Sequence, residues 1–326
     1  MIEVRGLTKR YGEVVAADGL DFTVRPGEVT GFLGPNGSGK STTMRMILGL
    51  DAPTSGTATV GGRRVAEHPV PLRAVGALLD AGAVLPSRSA YHHLLALAAG
   101  NGLPRRRVDA VLDQVGLSDV ARRPAGTYSL GMRQRLGIAG ALLGDPPVLV
   151  LDEPLNGLDP EGIVWMRRLV RHMAVEGRAV MMSSHLMSEV ELTVDHLVVI
   201  GRGRLIADTG MADFIASVAG REVVVRSPRS AELADLLAAA GAAVRTGRGD
   251  EGHEGHEGEV LTVTGLDAAR IGALAAAAGV ELHELAPRRK SLEDAFMELT
   301  RDSVDYASEA EYASRAGHVP EGEVAR

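Results

Sequence analysis

Between Glu28 and Leu33 an apolar, strand-like run ends at Gly34-Pro-Asn-Gly-Ser-Gly-Lys40-Ser41, and a helical pattern from Thr42 to Leu50 follows at once. No other feature constrains the fold as much as this direct succession of strand, glycine loop and helix. Gly34, Gly37 and Gly39 let the backbone wrap until its N–H groups and the helix N-terminus point at one spot, which favours phosphate oxygens. The loop fits G-x-x-x-x-G-K-S, with the strand before it and the helix after it that the pattern needs. Lys40 is placed to reach the outer phosphates of a nucleotide and the Ser41 hydroxyl to ligate Mg²⁺, while Pro35, Asn36, Ser38 and Thr42 complete the cradle. Lysine is rare here: Lys9, Lys40 and Lys290 stand against 32 arginines, so an isolated lysine carries information.

Two further apolar runs stop at polar clusters, Val148 to Leu151 before Asp152 and Glu153, and Ala179 to Met182 before Ser183-Ser184-His185. From residue 1 to about 210 such Val/Ile/Leu runs alternate with helical patterns, as in an α/β fold around a mostly parallel sheet. In such sheets ligands sit at the carboxyl ends of strands, so the three clusters are expected to share one edge. Two adjacent carboxylates there suit a site in which Asp152 holds the metal and Glu153 orients or deprotonates an attacking water. An apolar strand ending in acids is commonplace alone; the loop upstream gives it meaning.

From about residue 220 the pattern changes. Glu222 to Arg226 reads as a strand, Ala231 to Ala240 as a helix, Ala242 to Arg245 and Val260 to Val263 as a strand pair, Asp267 to Gly279 as a helix and Glu281 to Leu285 as a strand. That order predicts a small split β-α-β domain over 220–300. Ser291 then caps a short amphipathic helix carrying Leu292, Ala295, Phe296 and Leu299, and the acidic tail 301–326 has too few apolar anchors to pack.

Composition narrows the function. With 326 residues, 45% hydrophobic and 24% charged, the chain has material for about two cored domains. Its net charge of −7 supplies no overall attraction for nucleic acid. No run of about 18 apolar residues is present to cross a bilayer, and the start MIEVRGLTKR has no apolar core for a signal peptide. Without cysteine there is no disulfide, thiolate nucleophile or cysteine zinc site. The run Gly252-His-Glu-Gly-His-Glu-Gly258 reads as a polar loop joining two strands, with a metal site at His253 and His256 as the other reading.

Between the glycine loop and the acids lies Tyr128-Ser-Leu-Gly-Met132-Arg-Gln-Arg-Leu-Gly-Ile-Ala, in which Ser129 can cap an amphipathic helix. This segment, about 20 residues before Asp152, resembles the signature sequence of ATP-binding cassette (ABC) proteins. Other elements of that family follow in order: Tyr11 in TKRYG as the aromatic that stacks on adenine, Asn156-Gly-Leu-Asp159 as the D-loop, and His185 in SSHLMSEV as the switch histidine that contacts the γ-phosphate. The resemblance covers 1 to about 215, with a helical subdomain at about 72–145, and SLEDAFMELT is similar to a segment of one exporter subfamily. Within the family the chain looks most like the bacitracin- and daunorubicin-resistance ATPases.

The resemblance implies a P-loop ABC ATPase domain at 1–215, with ATP and Mg²⁺ as ligands and hydrolysis to ADP and phosphate. It also implies a head-to-tail dimer with a second ATP-binding subunit, most simply a copy of this chain, in which Ser129, Leu130, Gly131 and Met132 meet the nucleotide held by the partner's loop. Integral membrane permease subunits would be driven by the pair, with residues 81 to 105 receiving the permease, and the chain would lie at the cytoplasmic face of the membrane. Two departures stand out. The usual Leu-Ser-Gly-Gly-Gln reads Tyr128-Ser-Leu-Gly-Met132, so a side-chain amide is lost. Where a glutamine normally ends a strand to touch metal or water, Val75-Gly-Ala-Leu-Leu-Asp80 offers a carboxylate, and Asp80 is expected as a further metal ligand. A soluble ABC ATPase acting on ribosomes or nucleic acid is the alternative; the paired cassettes or long coiled coils of such proteins are absent from the sequence. A nucleotide kinase would lack the signature and D-loop segments.

Overall fold

A computed structural model of the chain describes residues 1–184, 187–218, 222–248, 259–288 and 292–301. The chain divides into two units, Met1–Met211 with the residues from Met297, and Ala212–Phe296. The first unit runs β1 (Ile2–Tyr11), β2 (Val14–Val24), β3 (Val29–Leu33), α1 (Lys40–Ile47), β4 (Ser55–Val60), α2 (Pro71–Ala74), β5 (Gly76–Leu78), α3 (Ala90–Gly100), α4 (Arg106–Gln114) and α5 (Leu130–Leu142). It continues through β6 (Val148–Leu151), α6 (Pro160–Val175), β7 (Ala179–Met182), α7 (Met187–Thr193), β8 (His196–Gly201) and β9 (Arg204–Gly210). A further helix, α8 (Met211–Val218), begins at the division.

Six strands form one sheet in the order β5-β6-β7-β3-β8-β9, parallel except for β9 at the edge. The three runs that end in polar clusters are therefore consecutive neighbours, β6, β7 and β3, and their carboxyl ends share one edge. All three strands are wholly buried, which explains why they read as unbroken apolar runs and not as alternations. A second, antiparallel sheet, β2-β1-β4, lies over α1 and the parallel sheet. Ile2, Val4, Leu20, Phe22, Phe32, Met44, Ile47, Val150, Met181 and Val198 form the common core. Phe22 and Phe32 stack there with ring centroids 5.4 Å apart.

Helices α3, α4 and α5 pack on one another between β5 and β6 in sequence. Arg107 of α4 donates to the carbonyls of Leu142 and Leu143, at 2.9 and 3.1 Å, and so satisfies the C-terminus of α5. Ser89 and Ser129 cap α3 and α5 through their hydroxyls, as the sequence predicts for Ser129.

The second unit contains β10 (Glu222–Arg226), α9 (Ser230–Ala239), β11 (Ala243–Arg248), β12 (Glu259–Thr264), α10 (Ala268–Ala277) and β13 (Glu284–Arg288), and α11 (Leu292–Thr300) runs across the division at Met297. Its sheet order, β11-β12-β10-β13, all antiparallel, is that of a split β-α-β arrangement. Val223, Val225, Leu261 and Val263 face Leu233, Leu237, Ile271 and Ala275 in a separate core. The last strand starts three residues later than the sequence suggests and includes Pro287. It lies at the sheet edge, where a proline costs no ladder hydrogen bond, so the proline did not end it. Ser291, His253, His256 and the tail from 302 lie outside the described residues.

Phe32 is fully buried and joins the two sheets of the first unit, so Phe32→Ala should lower stability by about 3–5 kcal/mol. Denaturant unfolding would show this as an earlier midpoint at unchanged slope. A loss below about 1 kcal/mol would mean that the two sheets are not joined through this ring.

Candidate functional site

The loop between β3 and α1 turns on residues that only glycine fills. Gly37 and Gly39 have φ of 77° and 101°, and a Cβ on Gly39 would lie 2.1 Å from the Ala16 carbonyl oxygen. Helix α1 starts at Lys40, two residues earlier than the periodicity suggests, because its apolar face begins only after the loop has turned into it. The Lys40 ammonium donates to the carbonyls of Gly34 and Pro35 at 2.6 and 3.1 Å. Its burial pulls the lysine below its ordinary range, while Glu153 and Asp152 act in the opposite direction. Ser38 lies inside the loop with a buried hydroxyl oxygen that has no hydrogen-bond partner among the described residues.

Asp152 follows β6 directly and is held from two sides. Ser41 at the start of α1 donates to Oδ2 at 2.9 Å, and Ser183 at the end of β7 donates to Oδ1 at 2.6 Å. The Ser183 oxygen also accepts the Glu153 N–H at 2.7 Å. Glu153 itself sits at φ 47°, in the left-handed region that a non-glycine residue enters only when its surroundings demand it. Gln134 of α5, buried, donates its side-chain N–H to the Glu153 carbonyl at 3.1 Å. Hydrogen bonds at both ends thus fix the strained peptide.

A cleft of about 350 Å³ opens over this cluster, lined by Val14, Val15 and Ala16 of β2, by Asn36 to Thr42, and by Asp152 and Glu153. The loop, both carboxylates, Lys40 and Ser41 are thereby brought together. A glycine loop with no room for a Cβ at Gly34 or Gly39, together with the Lys40 ammonium at the start of α1, fits a polyphosphate, and Ser41 with Asp152 forms an oxygen donor pair suited to Mg²⁺.

Other expected site residues lie elsewhere. Asp80 is exposed beyond β5, and its carboxylate accepts the Gly82 N–H at 2.6 Å, closing its own turn; it does not line the cleft. The structure thus does not bring Asp80 to the Ser41–Asp152 pair. Tyr11, at the end of β1, is half exposed; its hydroxyl donates to Asp51 at 3.3 Å and Lys9 stands 4.9 Å over the ring. Ser129 caps α5 by accepting the Met132 N–H at 3.2 Å, with Leu130 exposed beside it. Asp159 caps α6 through the Gly162 N–H at 2.8 Å. His185 lies outside the described residues.

Sequence reasoning passed over Ser183 and Gln134. Ser183 stands in the polar cluster already singled out after β7. Gln134 carried a weaker signal, a polar residue on the face of α5 that otherwise buries Ile138 and Ala141.

Comparison with known proteins agrees with this geometry. A family model described as ABC transporter matches residues 17–156, and one described as a domain of unknown function matches residues 221–293. An uncharacterized ABC transporter ATP-binding protein of Bacillus subtilis is 42% identical over 209 residues, 63% of this chain and 68% of that protein. A bacitracin transport ATP-binding protein of Bacillus licheniformis is 42% identical over 211 residues, 64% and 69% of the two chains. A lantibiotic transport ATP-binding protein of Streptococcus pyogenes is 36% identical over 208 residues, 64% and 90% of the two chains. Among solved structures, the ATP binding subunit of an ABC transporter superposes with a TM-score of 0.61 at 27% identity, covering 67% of this chain and 92% of the other. The chain thus belongs to the ABC transporter ATP-binding proteins, the ATP-hydrolysing subunits of transporters, and is related to those of bacitracin and lantibiotic transport.

Proposed function

We propose that this subunit drives an exporter of a peptide antibiotic or another hydrophobic compound, working as a head-to-tail pair bound to separate membrane permease chains at the cytoplasmic face. The observation that carries the reading is the Ser41–Asp152–Ser183–Glu153 chain of hydrogen bonds at the mouth of the glycine loop. The export assignment draws on the relatives' bacitracin and lantibiotic transport. A separate permease is in keeping with the absence, among the described residues, of any helix long and apolar enough to cross a membrane. Residues 1–215 are taken as the ATPase domain and 220–300 as an accessory domain.

In this reading the backbone N–H groups from Gly37 to Thr42 cradle the phosphates of ATP, and Lys40 exchanges the Gly34 and Pro35 carbonyls for phosphate oxygens. Tyr11 stacks on adenine. Ser41 and Asp152 hold Mg²⁺, which offsets phosphate charge when bound; Asp80 is left out of the set. The Glu153 carboxylate orients and deprotonates the attacking water, and His185 contacts the γ-phosphate. The capped N-terminus of α5, with Ser129, Leu130, Gly131 and Met132, supplies N–H groups and a hydroxyl to the nucleotide of the second copy. Met132 replaces no essential donor, because the donors that reach out there are the backbone and Ser129. Asp159 and its segment lie against this helix start: a Cβ on Gly131 would stand 3.3 Å from the Gly157 carbonyl oxygen.

Glu153→Gln should leave MgATP binding intact and slow hydrolysis by about 10²–10⁴-fold, the usual worth of a positioned acid–base group. Direct titration and phosphate release measure the two quantities; turnover near that of the native chain would remove Glu153 from the role. Lys40→Ala should instead weaken MgATP binding in the same titration, since the ammonium compensates charge in the bound ground state.

Ser129→Arg places a bulky cation at the α5 N-terminus and touches nothing in its own loop. Mixed with Lys40→Ala chains, it should recover ATP-dependent dimerisation that neither variant shows alone. Absence of such pairs in a mixed population would contradict the shared site.

A further inference from the structure

Glu153 is the non-glycine residue of the site held at a positive φ; its N–H is bonded to Ser183, and its carbonyl accepts both the Asn156 N–H at 3.2 Å, a local turn contact, and the Gln134 side chain at 3.1 Å, which comes from another element. Ser183 directly follows β7, which is flanked by β6 and β3, and its own N–H is bonded to the Leu151 carbonyl of β6. Gln134 belongs to α5, five residues beyond Ser129, and reaches the Glu153 carbonyl across the gap between that helix and the sheet edge. The start of α5 is further keyed into the segment that follows Glu153. Gly157, at φ 73°, has room for no Cβ because the Leu130 side chain fills that space at 2.1 Å, and Arg135 stands 4.7 Å over the Trp165 ring of α6. A displacement of the first turns of α5 therefore pulls on the Glu153 peptide directly, through a buried amide and not through solvent.

A left-handed non-glycine residue relaxes toward a commoner conformation when one of its tethers is cut. For Glu153 that relaxation swings the carboxylate, because the side chain follows the Cα–Cβ direction set by φ. We propose that Gln134 is a positioning residue which ties the aim of Glu153 to the state of the α5 N-terminus in the same chain, so that a phosphate arriving at Ser129 from the second copy sets the base of the first. The inference rests on the head-to-tail arrangement proposed above and adds the link by which each ATP site senses the other.

The test uses full-length chains in mixed dimers with MgATP, one chain carrying Glu153→Gln so that a single competent base remains, read as single-turnover hydrolysis. Gln134→Met, which keeps the length and loses the donor, is placed either in the chain with the native Glu153 or in the chain with Glu153→Gln. Loss of roughly 10- to 100-fold in rate, with unchanged ATP affinity, is expected when it shares a chain with the competent base, as a small misplacement of a reacting group costs. Equal loss in both placements, or greater loss in the other one, would overturn the proposal, and a folding defect would appear as equal loss. Ser129→Arg in the chain with Glu153→Gln serves as control: full activity there would refute the shared site while the comparison of placements still decides the role of Gln134. Gln134→Glu gives a second reading, because a carboxyl donates to the Glu153 carbonyl only while protonated, so its rate relative to the native chain should rise as pH falls. A flat ratio across pH would contradict the hydrogen bond as the working contact.

Discussion

Everything at the site depends on how one carboxylate is held. Asp152 leaves β6 between two neighbours, the glycine loop after β3 and the end of β7, and takes a hydroxyl from each, Ser41 at 2.9 Å and Ser183 at 2.6 Å. Those bonds set the spacing between phosphate cradle and acid, and the same Ser183 oxygen passes the constraint to the backbone of Glu153. A carboxylate bonded at both oxygens keeps its orientation when charge arrives nearby, which is the preorganisation that phosphoryl chemistry rewards. The six-stranded sheet serves this geometry by placing β6, β7 and β3 side by side with parallel ends.

The energy that holds the arrangement comes from elsewhere. Apolar side chains from both sheets and α1 pack into one core beneath the loop, so the strained residue above it, Glu153 at φ 47°, rests on a rigid base. Strain is thus confined to the site and offset by packing that does not touch the ligand.

Much of this was legible in the sequence because it is local. The glycine loop announces itself through residue types that only a tight phosphate turn requires, and buried parallel strands announce themselves as apolar runs at Val148–Leu151 and Ala179–Met182. In the second unit the alternation of strand and helix is likewise local and gives the order of elements, while the last strand runs Glu284–Arg288 and not Glu281 to Leu285. What the sequence hid is non-local. Gln134 and Glu153 are 19 residues apart and meet only after α5 has packed on the sheet, and a lone buried glutamine has no spacing rule to reveal it. Asp80 shows the opposite case: its place in the chain matches a site residue, while its short side chain is bonded to the nearer Gly82 N–H and lies outside the cleft. Departures of Tyr128 and Met132 from the family pattern also make local sense. Tyr128 is buried, donating its hydroxyl to the Val120 carbonyl at 2.7 Å, and Met132 contributes its N–H to the cap.

In the proposed head-to-tail pair each ATP site is shared by two copies. The chain has no cysteine, so Asn36→Cys in one copy and Ser129→Cys in another give a single defined pair of thiols. With Glu153→Gln present to prevent turnover, a short bifunctional crosslinker should join the two chains when MgATP is added and not in its absence. Equal yields with and without MgATP, or no crosslink in either, would contradict a site completed by the α5 N-terminus of a second copy.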